Sequence, residues 1–481
     1  MSPALGARRV ATVVAGFDTA PAWSGLAAAL RLAIGDGRVP VDVRLPSERE
    51  LAAAVGVSRT TATRAYAALR EQGYAVARQG SGTFTRIPGG RARTLDRALS
   101  TRAGDDGCID LNCAASSAPP GLEAAFRAAV EDLPAYLAGH GYYPAGLPEL
   151  QRLLADGFTA RGLPTVPDQV LVTAGALTAA AVAARALVRP GDRVLVESPG
   201  YPNAAQAFAA AGARLSAVPV AADGWDVDLL ESVVERLRPR AAYLVPDFQN
   251  PTGRVMTHAE RERIARALAT AGTVAVVDES HQLLDLDGRP GHAPLARYVA
   301  DAGGTAITVG GASKSLWGGL RMGWARVDPD GVEAYTRARL TLDLGAPVLE
   351  QLALAHLLRD LEPTLSFHRT RLRDQRDALA LALRSRLPEW EFEVPAGGLA
   401  LWCRLPRPVG TTVAFEAEAR GVVIAPGPVF AAEGGLASWV RVPFTRPAEE
   451  LERAVDILAE AWSVAAGPGP GGSHPPRAMV A

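Results

Sequence analysis

Between residues 110 and 465 short apolar runs alternate with longer stretches of helical spacing. The runs include Val170-Leu-Val-Thr173, Arg193-Val-Leu-Val-Glu197, Ala242-Tyr-Leu-Val-Pro246, Val274-Ala-Val-Val-Asp278 and Thr305-Ala-Ile-Thr-Val309. Each has the length of a strand buried on both faces and is too short for a helix. Strands and helices in such alternation predict an α/β domain built on a doubly wound, mainly parallel sheet. The chain has 481 residues, more than one ordinary core holds, so two or three domains are expected.

The rest of the chain divides around this block. Residues 88–109 contain Gly89-Gly90, Arg91, Arg93 and Gly104-Asp105-Asp106-Gly107, lack periodicity and read as a linker. Residues 466–481 read as a disordered tail. At the other end, the apolar run Val10 to Phe17 is too brief for a signal peptide and reads as a mobile lead-in. No apolar run approaches the roughly 18 residues that span a bilayer, so no membrane partner is expected. Cys108, Cys113 and Cys403 lack metal-ligand spacing; they read as reduced thiols of a cytoplasmic protein, and no metal is expected.

Residues 20–87 have the pattern of a helical unit ending in two short strands. Trp23, Leu26, Leu30 and Ile34 lie on one helical stripe. Ser47 with Glu50 three residues on is a capping box that opens a second helix. Gly56 permits a turn, and Ser58 caps a third helix ending at Gly73. Tyr74–Arg78 and Thr83–Ile87, joined by Gln79-Gly-Ser-Gly82, form a hairpin wing. Two helices across a glycine turn make a helix-turn-helix, whose second helix enters the DNA major groove N-terminus first. Ser58, Arg59, Thr60 and Thr61 are then placed to meet phosphates and base edges. Net charge over the whole chain is -1, so any basic face must be local. Nine arginines against five acids between residues 20 and 90 supply one.

Lys314 is the sole lysine of the chain; every other basic side chain, histidine aside, is an arginine. The distinction is chemical: an arginine stays protonated, whereas a lysine amine can lose its proton and form a Schiff base. Pyridoxal phosphate (PLP) chemistry needs such a lysine, donors for the phosphate and a carboxylate for the pyridine nitrogen. Candidates for each surround Lys314 in Gly310-Gly-Ala-Ser-Lys-Ser-Leu-Trp-Gly-Gly-Leu-Arg-Met-Gly-Trp324 and occur elsewhere in the α/β block. Ser313 and Arg321 suit the phosphate, as do the N–H groups of Gly175, Ala176 and Leu177 at a helix start. Asp278 ends an apolar strand. Asn250, in Asn-Pro-Thr-Gly253, suits the ring's 3′ oxygen, and Tyr201 suits the ring face.

The order of these pieces resembles the fold-type-I aminotransferases over nearly all of residues 110–465. Tyr143-Pro-Ala-Gly146, Pro190-Gly-Asp192, Ala396-Gly-Gly-Leu399 and Val440-Arg-Val442 are further matches. The resemblance implies a large sheet domain with a smaller C-terminal α+β subdomain over about 345–465, and assigns Arg441 to a substrate or effector carboxylate. In the N-terminal unit, Leu45-Pro-Ser-Glu-Arg-Glu-Leu-Ala52, Val57-Ser-Arg-Thr-Thr61 and Gly80-Ser-Gly-Thr-Phe84 resemble the GntR-family winged helix, which implies DNA contacts at Arg44, Arg49, Arg59, Arg64 and Gly82; Ser47, Ser58, Thr60 and Thr61 complete the candidate DNA surface.

A GntR winged helix joined to an aminotransferase-like domain is similar to the MocR-type regulators. That resemblance implies a head-to-tail homodimer in which Tyr142 or Tyr143 reaches the partner's phosphate site, with two winged helices reading repeated half-sites of an operator. Two departures matter: the phosphate turn carries Ala176 and Leu177 where relatives carry polar residues, so the backbone must do more there, and a ring tyrosine is absent. Relatives carry a tyrosine two or three residues after the aspartate, bonding the 3′ oxygen; here those positions are Ser280 and His281. His281 either substitutes or only faces the crevice. The loss favours a one-component regulator sensing PLP or an amino compound through an aldimine on Lys314, without steady turnover. The alternatives are an aminotransferase with an accessory DNA module and a degenerate domain that binds no PLP.

Overall fold

The computed structural model describes residues 5–35, 38–40, 43–78, 81–86, 108–221, 223–289 and 291–467. Most of the expected linker, the expected tail beyond Gly467 and the Gln79-Gly80 half of the wing turn lie outside these residues.

Four helices and a hairpin build the N-terminal unit: α1 (Ala7–Val13), α2 (Ala22–Gly35), α3 (Glu48–Val55), α4 (Arg59–Glu71), β1 (Ala75–Arg78) and β2 (Gly82–Thr85). The local rules operate as written in the sequence. Ser47 and Glu50 bond reciprocally in a capping box, Gly56 ends α3 at φ 74°, and the Ser58 hydroxyl accepts from Thr61 N–H. The mobile lead-in expected at Val10–Phe17 is corrected: α1 covers its first half, and Val10 and Val14 are buried in one core with Leu26, Leu30, Leu51 and Leu69. A seven-residue helix with one buried valine, Val10, and a second, Val14, at its C-cap gives almost no periodic signal; tertiary burial holds it.

The large domain centres on an eight-stranded sheet. Its strands are β4 (Val170–Thr173), β5 (Arg193–Ser198), β6 (Arg214–Ala221), β7 (Gly224–Trp225), β8 (Ala241–Leu244), β9 (Val274–Asp278), β10 (Ala306–Gly311) and β11 (Gly323–Val327), in the order β4-β11-β10-β9-β8-β5-β6-β7. β10, β9, β8, β5 and β6 run parallel, while β11 and the edge strand β7 run antiparallel to their neighbours. β4, β8 and β10 are buried at every position, as strands covered by helices on both faces must be.

The C-terminal subdomain is a three-stranded antiparallel sheet of β12 (Ala400–Arg404), β15 (Trp439–Pro443) and β14 (Ala425–Pro426). The helices Leu361–Arg386 and Ala448–Ala466 pack on it through Leu372, Leu379, Leu451 and Leu458. A strand begins earlier than the expected domain boundary at 110. Ile109–Asp110 (β3) pairs in parallel with β13 (Val422–Val423), and Ile109 is buried in the subdomain core. The N-terminal unit rests on the same subdomain. Thr411 Oγ1 donates to Gly35 O at 2.6 Å, and the Tyr74 and Thr412 hydroxyls lie 3.1 Å apart.

Candidate functional site

The C-terminal edge of the parallel strands is where an open α/β sheet places ligands. Here β4 runs into Gly175, β5 into Tyr201, β8 into the Asn250 turn, β9 into Asp278 and β10 into the short helix bearing Lys314. All of them line one cleft of about 320 Å³, with Ala176, Leu177, His281, Ser313, Arg321 and, from the C-terminal subdomain, Phe430 and Arg441.

The phosphate end is built from backbone and one arginine. Gly175 has φ 121° and no side chain caps the helix Ala176–Leu187 that follows, leaving its first N–H groups open. A Cβ on Gly175 would come within 3.2 Å of Arg321 Nη2, and one on Gly323 within 2.3 Å of the Gly175 carbonyl carbon. Glycines at 175 and 323 therefore let the cup form. Arg321, exposed and itself at φ 49°, donates to Ala174 O at 3.1 Å, which aims its guanidinium at the cup.

The carboxylate end of the ring site is buried and wired. Asp278 accepts from Ser280 N–H at 2.8 Å and from the Tyr243 hydroxyl. Burial, and then Asp278 itself, raise the Tyr243 phenol well above its ordinary pKa, so it remains a donor and orients the carboxylate. Tyr243 was not among the sequence candidates. The available signal was a tyrosine in a fully buried strand, whose hydroxyl must find a partner. Asn250 Oδ1 accepts from Arg441 Nη1 at 3.0 Å, which leaves its amide N–H groups for an oxygen of a bound ring.

His281 sits buried in the cleft, but it cannot replace the absent tyrosine. Its Nδ1–H donates to Phe248 O at 3.0 Å. Burial first, and then Lys314, push its pKa down to about 4, so the ring is neutral and Nε2 is an acceptor. A ring oxygen needs a donor there.

Lys314 is half-buried, and its Nζ donates to Ala114 O at 2.9 Å. Burial lowers its pKa, which favours the nucleophilic amine. Arg441 is buried with its guanidinium 4.8 Å from the Phe430 ring. Its Nη2 donates to Asn112 O at 2.6 Å, whereas its buried Nε–H has no partner. Burial lowers its pKa to about 10, still cationic at neutral pH. A buried arginine with an unmet donor beside Lys314 is chemically suited to a carboxylate. The site thus fits PLP: an amine, an oriented carboxylate, an amide donor and an open helix N-terminus. No group of metal-ligating side chains exists among the described residues. Tyr143 does not line the cleft of its own chain; it packs edge-on against Tyr136, with Tyr142 exposed beside it.

The second candidate surface lies on the N-terminal unit. Arg44, Arg49, Arg59, Thr60 and Arg64 are exposed. Arg64 stacks over Trp23 at 4.5 Å, and Gly82, at φ 103°, lets the wing approach Arg44. Ser47, Ser58 and Thr61 use their hydroxyls within the two caps.

Comparison with known proteins agrees with both surfaces. Residues 119–458 match the family of class I and II aminotransferases, and residues 24–85 match the bacterial regulatory proteins of the gntR family. A 2-aminoadipate transaminase from Thermus thermophilus is 33% identical over 60% of this chain and 73% of its own. The probable rhizopine catabolism regulatory protein MocR of Rhizobium meliloti is 28% identical over 82% of this chain and 84% of its own. Among solved structures, the α-aminoadipate aminotransferase LysN of Thermus thermophilus, complexed with N-(5′-phosphopyridoxyl)-L-leucine, superimposes with a TM-score of 0.69 at 27% identity, covering 78% of this chain and 98% of that one. The chain belongs to the class I and II aminotransferases, a PLP-dependent fold, and carries a gntR-family DNA-binding unit ahead of it, the combination of the MocR-type transcriptional regulators.

Proposed function

We propose that the protein is a one-component regulator whose DNA affinity responds to occupancy of the Lys314 cleft. The observation that carries this reading is the convergence of Lys314, Asp278, Asn250, Arg321 and Arg441 on one cleft in a chain that also holds a winged helix. Bound PLP supplies an aldehyde and an electron-withdrawing ring. The protein's part is positional. Lys314 holds the group covalently, Asp278 takes the pyridine N–H, and Asn250 donates to the 3′ oxygen. Tyr201 covers the ring, while the Gly175–Leu177 N–H groups, Ser313 and Arg321 take the phosphate. Arg441 reads the carboxylate of an amino-compound effector. His281, with no N–H to give the ring oxygen, favours sensing over rapid turnover.

A homodimer suits the surface. Leu137, Tyr142, Leu177, Leu340, Leu342 and Leu344 are large apolar side chains left exposed in one chain. Gly345 touches the Tyr143 backbone, so the loop after Leu344 adjoins the loop expected to cross to the partner's cleft. Two winged helices would then face repeated half-sites. No helix among the described residues is long and apolar enough to cross a membrane.

The similarity to transaminases over the whole large domain keeps an active aminotransferase as the second reading. Titrating the protein's own upstream DNA with and without PLP, alongside an assay for transamination between amino and keto acids, separates the two. A DNA complex whose affinity changes with PLP, without steady turnover, supports the regulator. Turnover with no DNA complex supports the enzyme.

A further inference from the structure

The amine of Lys314 and the guanidinium of Arg441 do not wait in the cleft unengaged. Both hold main-chain carbonyls of one short segment: Lys314 Nζ donates to Ala114 O at 2.9 Å, and Arg441 Nη2 to Asn112 O at 2.6 Å. The same segment is clamped from outside the cleft. Arg371 Nη2 donates to Ser117 O at 2.8 Å and Nη1 to Ser117 Oγ at 3.0 Å. Arg371 Nη2 also donates to His368 Nδ1 at 2.9 Å, and His368 Nε2–H donates to the Lys314 carbonyl at 3.3 Å. Residues 112–117 therefore close a ring of contacts around the lysine, gripped at both its side chain and its backbone.

The position of this segment in the chain gives the ring a consequence. It continues directly from β3; the N–H groups of Ile109 in that strand and of Leu111 just after it donate to Gly421 O and Val423 O, each at 2.8 Å. Residues 87–107, which precede β3, lead to the winged helix. β13, which receives β3, follows the helix Gly410–Ala419, and the first turn of that helix seats the winged helix through Thr411 and Thr412. Segment 112–117 is thus continuous with the chain that joins the two domains, and its strand is tied through β13 to the helix on which the winged helix rests.

We propose that residues 112–117 are a strap that the cleft holds with the same two cations it offers to ligands, so that loading Lys314 and Arg441 releases the strap and loosens the seat of the DNA-binding unit. This rests on the assignment of Lys314 to PLP and Arg441 to a carboxylate. The competition is stoichiometric. A Lys314 nitrogen bonded to the PLP aldehyde carbon, with water released, would have given up two of the three hydrogens of its ammonium form and could no longer reach Ala114 O as a free amine does. A ligand carboxylate that takes the Arg441 fork likewise displaces Asn112 O. Arg371, outside the cleft, keeps its hold on Ser117, so the strap swings from that end.

Hydrogen–deuterium exchange on the full-length protein, with and without PLP, tests this while the visible Schiff-base band reports loading in the same sample. Ligand binding ordinarily slows exchange. The strap predicts the reverse: peptides spanning 112–117 exchange about tenfold faster once PLP is bound, as local opening of a segment no longer held through its carbonyls allows, while peptides of β8 and β10 do not. Lys314→Ala should show the fast strap without PLP and no response to it. A full band with strap exchange unchanged or slowed overturns the strap and leaves the PLP assignment standing. A slow strap in Lys314→Ala also overturns it. An absent band overturns the assignment of Lys314, and the strap with it.

Discussion

The two candidate surfaces of this protein are assembled by opposite means. The winged helix is local. Ser58 caps its own helix through Thr61, Ser47 pairs with Glu50, and the arginines that would meet DNA are exposed on the helices those caps define. The cleft is non-local: Lys314 bonds a carbonyl 200 residues away, Arg441 one 329 residues away, and Asp278 takes a hydroxyl from the neighbouring strand. A surface that binds a long polyanion needs only charges held at the right spacing. A cleft that controls one imine and one carboxylate needs buried groups with every donor assigned. Substitutions should divide along this line, affecting DNA affinity or ligand affinity but seldom both directly.

The largest effect is expected at Asp278. Asp278→Ala removes the ring partner and leaves the Tyr243 hydroxyl without its acceptor, so PLP affinity should fall by on the order of 2–5 kcal/mol, read by fluorescence or absorbance titration. DNA affinity measured without PLP should not change. An equal loss on DNA would break the comparison.

A smaller effect, of definite sign, belongs to His368. Burial pushes its pKa down to about 4, against 6.5 unfolded. The unfolded chain therefore takes up this proton first, and the stabilisation, complete above pH 6.5, is lost as pH falls from 6.5 towards 4. Glu197 acts oppositely, its buried carboxyl raised to about 7, so total stability reports neither group cleanly. His368→Gln isolates the histidine. The stability advantage of the wild type over the variant should shrink across that window by up to about 3 kcal/mol. A gap that stays constant with pH would contradict burial of the neutral ring. The winged helix contains no histidine, so its own melting should show no such term.

Arg59→Ala is expected to cost roughly 1–3 kcal/mol of DNA affinity and to flatten the salt dependence by about one ion, with PLP titration unaffected. Ser58→Ala sharpens the local half of the comparison. It removes one cap and should lower the stability of the N-terminal unit by about 1 kcal/mol, measured by thermal melting, with a DNA loss no greater than that. A much larger DNA loss would assign Ser58 a direct contact beyond its cap.

What could be read from sequence follows the same division. The caps, the glycine turn and the wing obey rules that act within a few residues, and these elements formed as expected. The sheet was legible because each strand is a short apolar run. The cleft's principal groups were legible because each follows such a strand. The lead-in differs from its expectation because a short helix with one buried valine and another at its C-cap is specified by its neighbours rather than by its own periodicity. The boundary at 110 was set one residue late because Ile109 pairs with a strand more than 300 positions away. The role of His281 turns on a single hydrogen bond to the Phe248 carbonyl, and the roles of Tyr243 and Ala114 on partners that only the folded chain brings near.

The account's central claim is that the chemistry at Lys314 reaches the DNA-binding unit. The most direct test measures affinity for the protein's own upstream DNA, with and without PLP, in the wild type and in Lys314→Ala. The account predicts that PLP changes wild-type affinity and leaves the variant's unchanged, although both bind DNA. An undiminished PLP response in Lys314→Ala would contradict it, placing the sensor elsewhere than on the lysine.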